Sequence, residues 1–208
     1  MNESAVTFRS GELTLEGRFA RPARAGASPG AVICHPHPMY GGSMDNNVVE
    51  AIVSAMWRCG YATLRFNFRG VGASEGEYDG GAGEADDARA ALSFLSEQGC
   101  AGGLVLAGYS FGAGIAMRAG LGDSRVARVI AVALPVAAMD SGADAPATQP
   151  VLFVSGDRDS YSPIATLEQT ARTLGAAATL RVIAGTDHFF GGSESALADA
   201  IERGLQGA

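Results

Sequence analysis

The chain has 208 residues, of which 47% are hydrophobic and 18% charged, so it suits one globular domain with a sizeable buried core rather than a disordered segment. Its formal net charge of −7 disfavours anionic partners, and we expect neither a nucleic acid nor a membrane among them. These numbers leave the oligomeric state open.

The chain begins with a pattern that is typical of an antiparallel hairpin. Apolar and polar side chains alternate between residues 6 and 21, and Ser10-Gly11 supplies a turn. From residue 31 onward short, mostly apolar runs predict strands that are covered on both faces, as in a parallel sheet between helices. The predicted strands are 31–34, 64–68, 104–107, 129–134, 151–154 and 180–184.

Helical patterns fill the segments between these strands. Apolar side chains recur at helical spacing in four segments, 48–56, 88–95, 164–174 and 197–201, and a fifth helix rich in small residues is predicted after Ser110. We therefore predict an α/β fold: a single three-layer domain over residues 1–208, with a mostly parallel sheet and an antiparallel N-terminal hairpin. We also predict a long polar loop, rich in small residues, over residues 137–149, most of which lie outside the residues that the structure describes.

The pentapeptide Gly108-Tyr109-Ser110-Phe111-Gly112 is the most informative motif of the chain. A G-x-S-x-G between a strand and a helix is the pattern of a nucleophile elbow, a tight turn that exposes the serine hydroxyl. Glycine is common in this chain, so the pentapeptide alone is also compatible with a plain turn. Other residues have to decide between the two.

A serine hydroxyl needs a base beside it and a group that orients the base. Of the three histidines only His188 follows the pentapeptide, and a carboxylate loop, Gly156-Asp157-Arg158-Asp159, lies between them. Ser110, Asp159 and His188 each follow a predicted strand, at the edge where open α/β sheets place their ligands. The order Ser…Asp…His is that of one class of serine hydrolases.

Two further motifs complete a resemblance to a known family. These are the loop His35-Pro36-His37-Pro38-Met39-Tyr40-Gly41-Gly42 and the stretch Arg69-Gly70-Val71-Gly72-Ala73-Ser74. With them the chain resembles the α/β-hydrolase superfamily, in particular its small lidless bacterial members. The resemblance implies that Ser110 is the nucleophile, His188 the general base and then acid, and Asp159 the carboxylate that orients the imidazole. We expect no cap domain. Many relatives insert one after the strand that follows the elbow helix, and here only about fourteen residues separate Val136 from Val151.

The carboxylate has alternatives. Asp157 is the main rival, and the family's Gly-x-x-Asp spacing, counted from Gly156, favours Asp159. Asp140 is a remote third choice because some family members place the acid after the preceding strand. Asp187 is expected to be a solvated loop residue.

Two backbone N–H groups are expected to bind the oxyanion of the tetrahedral intermediate. One belongs to Phe111, the residue after the serine. The other comes from the His-Pro loop, where proline has no N–H, which leaves His37, Met39 or Tyr40; the resemblance favours His37. Without a cap we expect an open, shallow pocket, with walls formed by Met39, Tyr40, Phe111, Tyr161, Phe189 and Phe190.

The remaining polar residues have structural interpretations. His35 is expected to be a buried loop anchor that bonds to backbone, and with His37 it forms only two of the ligands that a zinc site needs. We expect no metal and no cofactor. The acidic group Glu84, Asp86 and Asp87 is predicted to be a solvated first turn of a helix.

These observations predict a serine hydrolase that cleaves small soluble carboxylic esters through an acyl-enzyme. A thioesterase or a peptidase-like acyl hydrolase would use the same three residues. A hydrolase-fold interaction protein without catalysis is the alternative from a different class. No signal-peptide pattern is visible, and Cys34, Cys59 and Cys100 are odd in number and widely spaced, so we expect a cytoplasmic protein with free thiols.

Overall fold

The computed structural model describes residues 1–23, 28–136 and 149–206, and these ranges contain one sheet of eight strands. The strands are β1 (Ser4–Ser10), β2 (Leu13–Ala20), β3 (Gly30–Cys34), β4 (Ala62–Phe66), β5 (Leu104–Tyr109), β6 (Val126–Val132), β7 (Val151–Gly156) and β8 (Ala178–Ile183). Their order in the sheet is β1-β2-β4-β3-β5-β6-β7-β8. β1 pairs antiparallel with β2 and β2 with β4, and every other pair is parallel.

Five helices of the described chain cover the sheet. They are α1 (Asn47–Arg58), α2 (Ala82–Glu97), α3 (Phe111–Gly120), α4 (Ile164–Leu174) and α5 (Glu194–Gln206). Side chains alternate along the strands: Val32 and Cys34 pack toward α2, α3 and α4, whereas Ala31 and Ile33 pack toward α1 and α5. The predicted three-layer α/β domain, with its antiparallel start and its parallel remainder, is confirmed. None of the helices in the described ranges combines the length and apolarity that a membrane span requires.

The acidic start of α2 differs from the prediction, because Glu84 and Asp87 are fully buried. Asp87 accepts hydrogen bonds from the Ser10 hydroxyl (2.7 Å) and the Arg69 guanidinium (2.8 Å), and so ties the hairpin and the turn after β4 to α2. Only Asp86 is exposed as predicted. The prediction was wrong because the partners of Asp87 are far away in the sequence, where no local pattern shows them.

Candidate active site

The pentapeptide after β5 forms a sharp strand–turn–helix elbow with Ser110 at its tip. Ser110 has φ 55° and ψ −119°, an unusual conformation for a residue with a side chain, and it directly precedes α3. A Cβ on Gly108 would lie 2.0 Å from the carbonyl oxygen of Gly112, and one on Gly112 would lie 2.4 Å from that of Cys34. Only glycine permits these approaches. They bring the serine next to the loop that follows β3.

The loops after β7 and β8 bring the other two predicted residues to the serine. His188 Nε2 lies 3.0 Å from Ser110 Oγ, and His188 Nδ1 lies 2.8 Å from Asp159 Oδ2. A carboxylate only accepts hydrogen bonds, so the proton of the neutral imidazole belongs on Nδ1. Nε2 is then free to accept the proton of the serine hydroxyl.

The environment of Asp159 keeps its carboxyl group ionised. Burial alone raises its pKa, but the hydrogen bond and charge of His188, with the backbone N–H groups of Tyr161 (2.9 Å) and Ser162 (3.0 Å), outweigh burial and lower the pKa below its ordinary value. The Tyr161 ring also packs against the imidazole, with ring centroids 4.7 Å apart. The Tyr109 hydroxyl donates to the His188 carbonyl oxygen (2.9 Å), which holds the loop in place.

The rival carboxylates lie elsewhere. Asp157 is exposed and accepts the backbone N–H of Gly185 at 2.7 Å. Asp187 is also exposed and accepts the backbone N–H of Phe189 at 3.0 Å, in keeping with a solvated loop residue. Asp140 is outside the described residues. Of the carboxylates in the described chain, Asp159 is thus the one hydrogen-bonded to the His188 ring.

Two N–H groups near the serine have no hydrogen-bond partner among the described residues. One is that of Phe111, the first residue of α3, and the other is that of His37. The other two candidate donors of the His-Pro loop already have hydrogen-bond acceptors in the same turn. Met39 N–H donates to His37 Nδ1 (3.2 Å) and Tyr40 N–H donates to the His37 carbonyl oxygen (3.1 Å). The free N–H of Phe111 also lies at the positive end of the helix dipole.

A cleft of about 780 Å³ opens at Ser110. Its lining includes four of the predicted wall residues, namely Tyr40, Phe111, Tyr161 and Phe189, together with His37. Met39 is 68% exposed but is not among the lining residues, so its predicted place on the wall was wrong.

Phe190 was also predicted wrongly. It is fully buried in the core, where its ring meets that of Tyr109 edge-on at 6.2 Å. Its backbone has φ 55°, which turns the side chain inward while the adjacent Phe189 stays on the cleft. A run of two phenylalanines gives no local sign of this reversal.

The lining also includes residues that were not predicted, among them the large side chains of Tyr78, Ile115 and Arg118. Ile115 lies four residues after Phe111, and Arg118 lies three residues after Ile115. Helical spacing on α3 therefore predicts both on the same face as Phe111. Tyr78 lies in a loop and has no such signal. Its hydroxyl is 3.3 Å from His37 Nε2, and the His37 ring lies between those of Tyr40, Tyr78 and Phe111.

His35 is the buried loop anchor that the sequence indicated. Its Nδ1 is 2.6 Å from the Pro36 carbonyl oxygen, and its Nε2 accepts the backbone N–H of Phe68 at 3.1 Å. Burial lowers its pKa to about 4. Within the described ranges no three side chains of His, Cys, Asp and Glu are grouped as metal ligands.

Known proteins share both the sequence and the fold of this chain. The sequence pattern of the X-Pro dipeptidyl-peptidase (S15) family matches residues 11–182. The chain belongs to this family of α/β hydrolases. This S15-family chain is also 35% identical over 195 residues to Uncharacterized protein RP471 of Rickettsia prowazekii, which covers 89% of the chain and 81% of the relative.

Solved structures agree with the family. An α/β serine hydrolase homologue from Coxiella burnetii superposes with a TM-score of 0.90 at 35% identity, over 99% of this chain and 98% of that one. XC6422 from Xanthomonas campestris, an α/β serine hydrolase without a lid, has a TM-score of 0.87 at 32% identity, over 99% and 94% of the two chains. The S15-family chain is therefore a hydrolase of the small lidless branch.

Proposed function

We propose that the protein is a serine esterase that cleaves small carboxylic esters through an acyl-enzyme. The observation that carries the proposal is the chain of hydrogen bonds from Ser110 through His188 to Asp159, at 3.0 and 2.8 Å. Ser110 Oγ attacks the ester carbonyl while His188 Nε2 takes its proton, and Asp159 stabilises the imidazolium that forms. His188 then gives the proton to the leaving alkoxide.

The second half of the reaction reverses these roles. His188 takes a proton from water, the resulting hydroxide attacks the acyl carbon, and Ser110 leaves with the proton returned to its oxygen. In both halves the backbone N–H groups of Phe111 and His37 bind the negative oxygen of the tetrahedral intermediate. Each such donor contributes on the order of 10²–10³-fold to the rate in comparable sites.

The cleft favours an ester over a dipeptidyl substrate. A dipeptidyl-peptidase has to accommodate the free N-terminal ammonium of its substrate, and a carboxylate is the natural partner for that charge. No carboxylate is among the residues that line the described part of the cleft. The exposed rings of Tyr40 (88%) and Phe189 (62%) instead form an open aromatic rim that suits short or medium acyl groups. A thioester would fit the same groups and is the second candidate.

The experiment compares three substrates on the purified protein: 4-nitrophenyl butyrate, the corresponding thioester, and Gly-Pro-4-nitroanilide. We expect the fastest turnover with the ester, a loss of at least about 10³-fold in Ser110→Ala, and a fluorophosphonate adduct on Ser110. Faster cleavage of the anilide would instead support a peptidase. Absence of both the adduct and any turnover would favour a non-catalytic interaction protein.

A cytoplasmic location is part of the same proposal. It is supported by Cys34, Cys59 and Cys100, all three of which are free thiols in the structure.

A further inference from the structure

The cleft extends from Ser110 along one face of α3. Phe111, Gly114, Ile115 and Arg118 all line it and follow one another at helical spacing. Arg118 is eight residues beyond Ser110, which corresponds to about 12 Å along the helix axis at the standard rise per residue. Side chains on a helix lean toward its N-terminus, so the arginine leans back toward the serine.

The guanidinium of Arg118 stands beside apolar groups on the cleft wall. A Cβ placed on Gly81, itself a lining residue, would lie 3.7 Å from Arg118 Nη1, 3.5 Å from Ile115 Cδ1 and 3.8 Å from Phe111 Cε2. The cation, the Ile115 side chain and the Phe111 ring therefore meet at one part of the cleft wall, beside Gly81.

Arg118 has no salt-bridge or hydrogen-bond partner for its side chain within the described residues. The neighbouring Arg89 and Arg125 do have partners, Asp86 at 2.8 Å and Asp123 at 2.6 Å. Among the lining side chains in the described part of the cleft, Arg118 alone carries a permanent charge. In a chain with a net charge of −7, an exposed cation that stands on the wall of the substrate cleft without a protein counter-ion suggests a negative ligand.

The buried carboxylate of Glu84, at the start of α2, does not fill this role. It accepts hydrogen bonds from the backbone N–H groups of Asp79 (2.9 Å) and Gly81 (2.6 Å), and so caps its own helix. The Arg118 guanidinium therefore remains available to a ligand.

The position of His188 decides which part of a substrate reaches Arg118. His188 must protonate the leaving oxygen, so the alcohol leaves on the side of the imidazole, near Tyr161 and Phe189. The acyl group then extends away from the imidazole, along α3.

We propose that Arg118 binds a terminal carboxylate on the acyl group, so that the preferred substrates are half-esters of dicarboxylic acids. This inference rests on the ester hydrolysis proposed above and specifies its substrate class. The apolar wall of Phe111 and Ile115 accommodates the methylene chain, and the planar guanidinium pairs with the carboxylate through two parallel N–H···O bonds. Because the pair lies in an open cleft, we expect a preference of about tenfold that weakens with salt.

The test uses two substrates that differ in one charge. One is 4-nitrophenyl hydrogen suberate, with a free carboxylate, and the other is its methyl-capped diester; release of nitrophenolate reports cleavage of the same bond in both. The ratio of their kcat/KM values is measured for the unaltered protein and for Arg118→Gln. Arg172→Gln is the matched control, since Arg172 is an exposed arginine on α4, paired with Glu168 and not among the cleft residues.

We expect the ratio to fall about tenfold in Arg118→Gln, to stay unchanged in Arg172→Gln, and to fall in the unaltered protein as ionic strength rises. An equal ratio in Arg118→Gln and the unaltered protein, with both esters cleaved, would overturn the role of Arg118 and leave the esterase proposal intact.

A binding measurement separates the inference from the proposed reaction. Ser110→Ala is titrated calorimetrically with monomethyl suberate, alone and combined with Arg118→Gln. Weaker binding in the double variant supports the carboxylate site even if no ester is hydrolysed, in which case only the proposed reaction fails. Equal binding in the two variants would overturn the site.

Discussion

Protonation of His35 is expected to destabilise the fold in mild acid. The Pro36 carbonyl oxygen accepts a hydrogen bond from Nδ1–H, and Nε2 accepts one from the Phe68 N–H, so the buried ring is neutral with its proton on Nδ1. A second proton on Nε2 would point at the Phe68 N–H and set two donors against each other. The contact between the His-Pro loop and Phe68, just after β4, would then be lost.

The size of the effect follows from the two pKa values of His35. Burial lowers the pKa from 6.5 to about 4 in the folded protein. Between these values the unfolded chain binds up to one proton more than the folded chain, so the free energy of unfolding falls as pH falls. At up to about 1.4 kcal/mol per pH unit, the free energy of unfolding falls by about 3 kcal/mol over this pH interval.

The assay is urea unfolding, followed by circular dichroism, at several pH values between neutrality and about pH 4. The variant His35→Gln keeps an acceptor and a donor but does not titrate. It is expected to be less stable than the unaltered protein at neutral pH, and the difference should shrink by about 3 kcal/mol toward acid. His37→Gln, on the cleft wall, serves as the comparison for loss of a less buried imidazole whose pKa burial also lowers. Parallel pH profiles for the unaltered protein and His35→Gln would refute the reasoning.

Three other predictions concern the carboxylate beside His188, the elbow at Ser110 and the first turns of α2. Asp159→Asn should lower kcat on 4-nitrophenyl butyrate by about 10³–10⁴-fold and Asp157→Asn should change it little; the opposite result would reassign the carboxylate. Gly112→Ala puts a methyl group 2.4 Å from a carbonyl oxygen and should cost about 2–3 kcal/mol in urea unfolding, with an unchanged midpoint contradicting the close approach. Asp87→Ala leaves the partly buried Arg69 guanidinium with only Asp79 at 4.0 Å and removes the acceptor of the Ser10 hydroxyl, so it should cost about 2–3 kcal/mol, against little change for the exposed Asp86→Ala.

Local patterns were sufficient for the architecture. Apolar runs predicted the parallel strands and helical spacing predicted the helices. A strand covered on both faces is apolar at nearly every position, and an amphipathic helix is apolar at every third or fourth, so both patterns are visible in a short stretch of sequence. Parallel strands present their carboxyl ends at one edge of the sheet, so the loops holding Ser110, Asp159 and His188 were expected to meet there. The choice of Asp159 over Asp157 depended on motif spacing.

Contacts between distant segments determined which side chains are buried and which line the cleft. Asp87 is buried because Ser10 and Arg69 arrive from other parts of the chain, and an acidic first turn alone predicts only solvent exposure. Phe190 turns into the core and Phe189 faces the cleft because of one backbone angle that neither residue type indicates. The direction of the cleft along α3, and with it the place of Arg118, depends on how the loop before α2 packs against α3. Such pairings join residues that have no common local pattern, so only the tertiary structure shows which polar groups are satisfied and which remain free for a ligand.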